Sequence, residues 1–181
     1  MVDPIKQLTH DHRELNGLLV ALHEALTRIE RGASSLDDEL HELQDGIEGF
    51  RDALLDHFAR EQEGLFPFVV ARLPPIRPRA EALVDEHDKI ANLLTAIVRD
   101  LTTIDDVERT SGERPVGERT DDEPALDRRG ALGKWQASLG RFEEMYAAHT
   151  RGELAFLDDV ATSLTGDPAA TEQLRALLDE I

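Results

Sequence analysis

The chain of 181 residues contains no cysteine. Without thiolates it can form neither a disulfide nor a zinc-thiolate or iron-sulfur site, so histidine and carboxylate side chains are the strong metal ligands left to it. Basic residues are also scarce, since 20 Lys and Arg stand against 38 Asp and Glu, giving a formal net charge of −18. A chain with this charge and no cluster of basic residues repels phosphates, so we expect no nucleic-acid partner.

Long apolar runs are missing as well. No stretch approaches the roughly 20 residues that cross a bilayer, and the amino terminus lacks a charged-then-apolar secretory pattern. We therefore expect no membrane partner and a cytoplasmic location. Aromatic residues make up 4 % of the chain, whereas 40 % is hydrophobic and 32 % charged, a balance typical of a helical protein.

Capping residues and prolines divide the chain into five predicted helices. Asp3 before Pro4 marks the first amino terminus, Ser35 marks the second, and Pro67 predicts a bend within the second helix. The predicted helices cover residues 3–32, 36–73, 78–104, 124–165 and a short segment after Gly166-Asp167-Pro168. Because the first two connections are short, consecutive helices should be antiparallel neighbours.

These boundaries predict an all-α fold, an up-down-up-down four-helix bundle with a short extra C-terminal helix. The bundle domain covers residues 1–165, and residues 166–181 form the accessory helix outside it. Residues 105–123 lose helical periodicity and are rich in charge, Gly and Pro, so we predict a mobile acidic loop there.

An apolar seam at alternating steps of three and four residues follows each long helix, and polar residues interrupt it at one height. The interruptions are His12 on the first helix, His57 and Glu61 on the second, His87 on the third, and His149 and Glu153 on the fourth. Six buried polar groups at one level would cost more than the whole stability of a domain, about 5–15 kcal/mol, unless a cation held them together. The seams therefore predict a metal site, and His10, His23 and His41, which lie outside them, should face solvent.

The two halves of the chain resemble each other around these residues. DHRELNGLLVAL (11–22) aligns with EHDKIANLLTAI (86–97), and FRDALLDHFAREQEGL (50–65) aligns with FEEMYAAHTRGELAFL (142–157). An internal repeat of this kind predicts two equivalent half-sites that face each other. Two ions bridged by Glu61 and Glu153, with the four histidines as terminal ligands, suit iron or manganese better than magnesium or a structural zinc, and leave coordination positions open.

The ordered set of six residues resembles the hemerythrin family, specifically the bacterial HHE cation-binding domains, over about residues 3–165, and the LFP after the second-helix motif strengthens the resemblance. It implies that the six residues bind two Fe ions with an oxo or hydroxo bridge, for which Mn or Zn could substitute. The chain departs from the oxygen-carrying hemerythrins in having Ala91 where they have a second His, and His-x-x-x-Glu in place of His-x-x-x-x-Asp. These departures argue against reversible oxygen carriage.

The favoured functional hypothesis is a di-iron protein that reacts with hydrogen peroxide or dioxygen in a catalase-like or peroxidase-like manner. A binding or sensing module for oxygen, nitric oxide or iron is the alternative, and a metal that only holds the bundle together is a third reading. Tyr146 on the fourth seam either fills the core or serves the centre as a hydrogen-bonding or redox group. The expected partners are small molecules, namely dioxygen, peroxide or nitric oxide, and the sequence does not indicate a protein partner.

Overall fold

The structure, a computed structural model, describes residues 3–31, 36–112 and 128–181, and these are helical apart from short connections, with no strand among them. The predicted all-α class is confirmed. The helices are α1 (Pro4–Arg31), α2 (Leu36–Ala59), a π-helical turn (Arg60–Leu65), α3 (Phe66–Arg72), a 3-10 turn (Pro74–Ile76), α4 (Arg77–Gly112), α5 (Arg128–Leu164) and α6 (Pro168–Asp179). Within these ranges no helix is long and apolar enough to cross a membrane.

Four helical rods form the bundle. The chain keeps right-handed helical dihedrals at Ala59, Leu65 and Phe66, so α2, the π turn and α3 make one continuous rod. Contacts join α1 to α2, α2 to α4, α4 to α5 and α5 to α1, which closes the ring of a helical bundle. The predicted bundle with an additional C-terminal helix is therefore the observed architecture.

The irregularity of the second rod begins at Arg60, earlier than the bend predicted at Pro67. A proline lacks the N–H that an α-helix needs, and its ring would press on the carbonyl of Glu63, four residues before Pro67. The wider π turn directly before Pro67 relieves this conflict. Because an i→i+5 turn fits more residues into one turn, it also shortens the rod between Glu61 and the next helix.

The hydrophobic core divides into two clusters at the height of the seam histidines. One cluster contains the α1 residues after His12 and the α5 residues before His149, and includes Trp135, whose indole N–H donates to the carbonyl of Ile97 at 2.9 Å. The other contains Ile5 before His12 and the residues after His149, together with α6. A polar layer thus lies between two apolar blocks of the same bundle.

Helix α6 is joined to the bundle by a glycine turn. Gly166 has a φ of +87°, a backbone conformation that side chains with a Cβ avoid, and the carboxylate of Asp167 accepts the Ala170 N–H at 2.9 Å as the helix cap. Leu174 of α6 is fully buried in the second cluster. Helix α6 packs against the π turn, α1 and α5, at the part of the bundle that contains the second cluster.

The third predicted helix is longer than expected, because α4 extends past Ile104 to Gly112. The first part of the predicted acidic loop is therefore helical. The rest of that loop, and residues 124–127 of the predicted fourth helix, lie outside the described residues.

We predict that Leu174→Ala destabilises the protein by about 2–4 kcal/mol, because it removes a buried side chain and leaves a cavity under α6. Chemical denaturation followed by circular dichroism measures the loss. Leu177→Ala, which truncates a partly buried leucine of the same helix, should cost less. Equal losses for the two variants would contradict the packing of α6 described above.

Candidate metal centre

Six polar side chains from the four rods meet in the layer between the two core clusters. They are almost completely buried, with exposed fractions of 3 % for His12, 1 % for His57, 0 % for Glu61, 1 % for His87, 3 % for His149 and 0 % for Glu153. Each is one of the residues that interrupt the predicted seams. The structure therefore brings together at one height all six residues that the seam pattern singles out.

Two groups of three ligand atoms share Glu153. His12, His57 and Glu153 form one group and His87, His149 and Glu153 form the other, with the ligand atoms of each group within 4.8 Å of one another. The Glu153 atom Oε1 lies 2.7 Å from Nε2 of His12 and 3.5 Å from Nε2 of His57. Its other oxygen, Oε2, lies 3.0 Å from Nε2 of His149. One carboxylate thus presents one oxygen to each group.

Glu61 lies between the same two groups. Its Oε2 atom is 3.2 Å from Nε2 of His87 and 3.8 Å from Nε2 of His57, so it contacts one histidine of each. The backbone carbonyl of Glu61 accepts from the N–H of Phe66, in the i→i+5 pattern of the π turn. The π turn therefore includes a residue of the centre, and such turns are frequent at functional sites.

The spacing of the donor atoms suits metal coordination better than it suits hydrogen bonds among the side chains themselves. Ligands bound at about 2.1 Å at right angles lie roughly 3 Å apart. Three of the nitrogen–oxygen distances are close to this value, namely those from Nε2 of His12, His149 and His87 to the nearest carboxylate oxygen, at 2.7, 3.0 and 3.2 Å. Several of these buried atoms have no aligned hydrogen-bond partner among the described residues: Nε2 of His57, His87 and His149, both oxygens of Glu61, and Oε2 of Glu153. Buried polar atoms without partners are costly, and cations placed between them would satisfy them. These His and Glu groups could therefore hold metal ions.

The two buried carboxylates differ in their affinity for a proton. Burial and the nearby charge of Glu153 raise the pKa of Glu61 well above its usual range. Burial also opposes ionisation of Glu153, but contacts with His12, His149 and His57 outweigh it and hold the pKa of Glu153 well below its usual range. Glu61 therefore holds a proton more readily than Glu153 does, and a metal ion bound at Glu61 would compete with that proton.

The histidines divide in a similar way. Burial and the charge of His149 lower the pKa of His87 to about 3, so His87 is neutral. For His57 and His149 burial acts in the same direction, but carboxylate contacts outweigh it and raise the pKa of each ring. A neutral imidazole is the form that binds a metal, and His87 already has it.

A buried carboxylate that the seams did not predict lies behind His57. Asp11 is 5 % exposed, and its Oδ2 atom lies 3.5 Å from Nδ1 of His57 and 2.7 Å from a guanidinium nitrogen of Arg60. An acceptor at Nδ1 favours the tautomer in which Nε2 is free to bind a metal. No aligned hydrogen bond joins the two residues in the described structure, but the Asp11 carboxylate faces this ring nitrogen, and Arg60 balances its charge.

Glu86 occupies the equivalent place in the other half of the chain. The Nδ1 atom of His149 donates to the Glu86 carboxylate at 2.9 Å. Asp11 and Glu86 each directly precede a seam histidine, and the repeat aligns them with one another. The seam pattern does not single out Asp11 and Glu86, because each carboxylate contacts a histidine on a different helix, but their matched positions in the repeat indicate a shared role.

The repeat is broken at the remaining two histidines. The side-chain amide of Gln62 lies 3.2 Å from Nδ1 of His87. The repeat aligns Gln62 with Leu154, and Nδ1 of His12 has no aligned hydrogen-bond partner in the described parts of the chain. The two half-sites therefore share their inner residues but differ in the surrounding ones.

Aromatic side chains of the first core cluster border the layer. Phe58 stacks on His87 with a centroid distance of 3.7 Å and an interplanar angle of 8°. Tyr146 is 2 % exposed, its hydroxyl has no aligned partner in the described ranges, and the Thr150 hydroxyl is close to it. Burial, with the charges of Glu153 and Glu61, raises the pKa of Tyr146, so the phenol keeps its proton. Tyr146 thus places a neutral O–H near the centre.

The other three histidines lie on the surface. The side chains of His10, His23 and His41 are 50 %, 56 % and 69 % exposed, and each is close to a carboxylate. Exposed pairs of this kind contribute little to stability. None of the three contributes to the buried layer.

We predict that Asp11→Asn weakens Fe²⁺ binding by about 10- to 100-fold, because the charged acceptor that orients His57 is lost. An anaerobic competition titration against a chelator measures the affinity. Glu14→Gln, which removes a carboxylate from the exposed face of the same helix, is the control and should bind as the wild type does. Unchanged affinity in Asp11→Asn would contradict the orienting role.

Comparison with known proteins agrees with the geometry of the centre. Residues 3–155 match the family model described as the Hemerythrin HHE cation binding domain. Searches against curated proteins and against solved structures return no match. The matched segment runs from the start of α1 through Glu153 and so contains the whole buried layer. The chain belongs to the hemerythrin HHE cation-binding family.

Proposed function

We propose that the protein binds two iron ions in the buried layer and uses them to react with hydrogen peroxide. In this proposal His12 and His57 bind one ion, His87 and His149 bind the other, and Glu61 and Glu153 bridge the two. The observation that supports it most directly is the split of the two Glu153 oxygens between the histidine pairs. That arrangement is suited to a carboxylate shared by two cations.

The ligand types favour a redox metal. Four imidazoles and two carboxylates are intermediate donors that suit iron or manganese. A structural zinc site, in contrast, has four protein ligands and no open coordination position. Two bridging carboxylates and two histidines give each ion four protein donors. An octahedral ion would then keep two positions for water or a small molecule, which is the arrangement of a reactive site and not of a structural one.

When bound, an iron pair can exchange electrons with peroxide or dioxygen. The protein side chains contribute fixed geometry and exclusion of water. Glu86 accepts a hydrogen bond from His149, the Asp11 carboxylate lies 3.5 Å from Nδ1 of His57, and Phe58 covers His87. The hydroxyl of Tyr146, which keeps its proton, lies within the electrostatic influence of Glu153 and Glu61 and would supply a neutral hydrogen-bond donor on that side of the layer. Rigid, dry surroundings of this kind are expected around a redox reaction, because they exclude side reactions.

We predict that the iron-loaded protein converts two hydrogen peroxide molecules to two waters and one dioxygen, measurable with an oxygen electrode. His57→Ala should lower the rate at least roughly 100-fold, because it removes the imidazole that would bind one of the two ions. His41→Ala, which truncates an exposed histidine, should keep the wild-type rate. A protein that holds two iron ions per chain and leaves peroxide unchanged would contradict the proposal.

The depth of the layer favours one second candidate. Ligands that are 0 to 3 % exposed leave little room for a large substrate, and diatomic molecules are small enough to reach them. A non-catalytic module that binds dioxygen or nitric oxide, or that senses iron, would use the same centre. A stable and reversible absorption band with dioxygen, in the absence of peroxide turnover, is the result that supports this function.

A further inference from the structure

A groove on the bundle surface reaches the metal layer between α4 and α5. Its volume is about 400 Å³, within the range of ligand pockets and far above the roughly 30 Å³ share of one water molecule. Leu83 and Ile90 of α4 face Met145 and His149 of α5 across it. His149 belongs to the buried layer, so the groove extends from solvent to a residue of the centre.

Small residues keep this groove open on the α5 side. Ala148 and Gly152 line it next to His149 and Glu153, and a Cβ added to Gly152 would meet no atom within 4 Å. Glycine inside a helix costs stability relative to alanine, roughly 0.5–1 kcal/mol. Gly152 and Ala148 thus leave open space on the α5 side of the groove, beside His149 and Glu153.

Charged side chains stand at the rim of the groove. Arg79 and Lys89 line it together with Glu86, so two cations and one carboxylate surround the opening in a chain whose formal net charge is −18. Arg79 also ties the two helices together, since it pairs with Asp159 and donates to the Gly152 carbonyl at 3.4 Å. The opening is therefore held in shape, and it is less repulsive to anions than the surface as a whole.

The other half-site is covered on its outer side. Behind His57 lie Asp11, with its side chain 7 % exposed, and Arg60, at 29 %. Behind His149 lies Glu86, with its side chain 46 % exposed. The two halves of the repeat thus differ in that the outer carboxylate is shielded by an ion pair in one half and borders an open groove in the other.

We propose that the groove between α4 and α5 is the route by which small neutral molecules and small anions reach the centre. The route arrives on the side of His149. The inference rests on the proposed function for the existence of open metal positions, but it concerns access and not turnover. Its test therefore uses the rate at which a small anion binds.

Gly152→Leu fills the groove, and Gly133→Leu is the matched control, since Gly133 lies on the same helix and likewise has open space around an added Cβ. Both iron-loaded proteins are mixed with azide in a stopped-flow spectrometer, and iron content is measured on the same samples. We expect azide to bind at least about tenfold more slowly to Gly152→Leu than to wild type or Gly133→Leu, with equal iron content.

A second pair of variants keeps the test decisive if Gly152→Leu binds iron poorly. Ala148→Leu places a side chain in the groove, whereas Ala147→Leu places the same side chain on an exposed position outside the lining. Slow azide binding in Ala148→Leu alone supports the route. Equal rates in both pairs, or a wild-type di-iron centre that binds no azide, would overturn it. If the iron-loaded wild-type protein does not turn over peroxide, but azide binding is still slowed by the groove variants, the proposed function is contradicted and the route is supported.

Discussion

The bundle depends on a layer of ionisable groups that cannot remain buried alone. Two carboxylates and four imidazoles occupy the level between two apolar clusters, where burial alone disfavours every charge. The opposite pKa shifts of Glu61 and Glu153 show the conflict, because only one of the pair keeps its charge easily. Cations at this level would convert the costliest part of the core into bonds that connect all four rods.

The pseudo-symmetry of the chain explains why the centre has two halves, and its exceptions explain why the halves differ. Asp11 and Glu86 perform matching tasks toward His57 and His149, as the aligned repeats require. The π turn that starts at Arg60 has no counterpart in α5, where His149 and Glu153 lie on a regular helix. The repeat supplies the ligand set, whereas the surroundings of the ligands differ. The carboxylate next to His57 is buried, and the one next to His149 is exposed.

The seam pattern was sufficient to predict the helical class, the bundle and the six residues that meet in the layer, because heptad-like spacing fixes both the face and the height of a helical residue. The seam pattern did not predict the contacts of Asp11 and Glu86 with His57 and His149. Whether Glu86 meets His149 depends on the rotation of two helices about their axes, and periodicity does not determine that. The bend was expected at Pro67, but the chain absorbs the missing N–H one turn earlier, because the strain of a proline falls on the preceding turn.

Elemental analysis of the purified protein, combined with its thermal unfolding before and after chelation, shows whether metal ions hold the buried layer together. We expect two metal ions per chain and a large fall in melting temperature when they are removed, since a ligand at 100 times its Kd stabilises a fold by about 2.7 kcal/mol. A chain that binds no metal when metal is supplied, and that melts at the same temperature with and without chelator, would contradict this expectation.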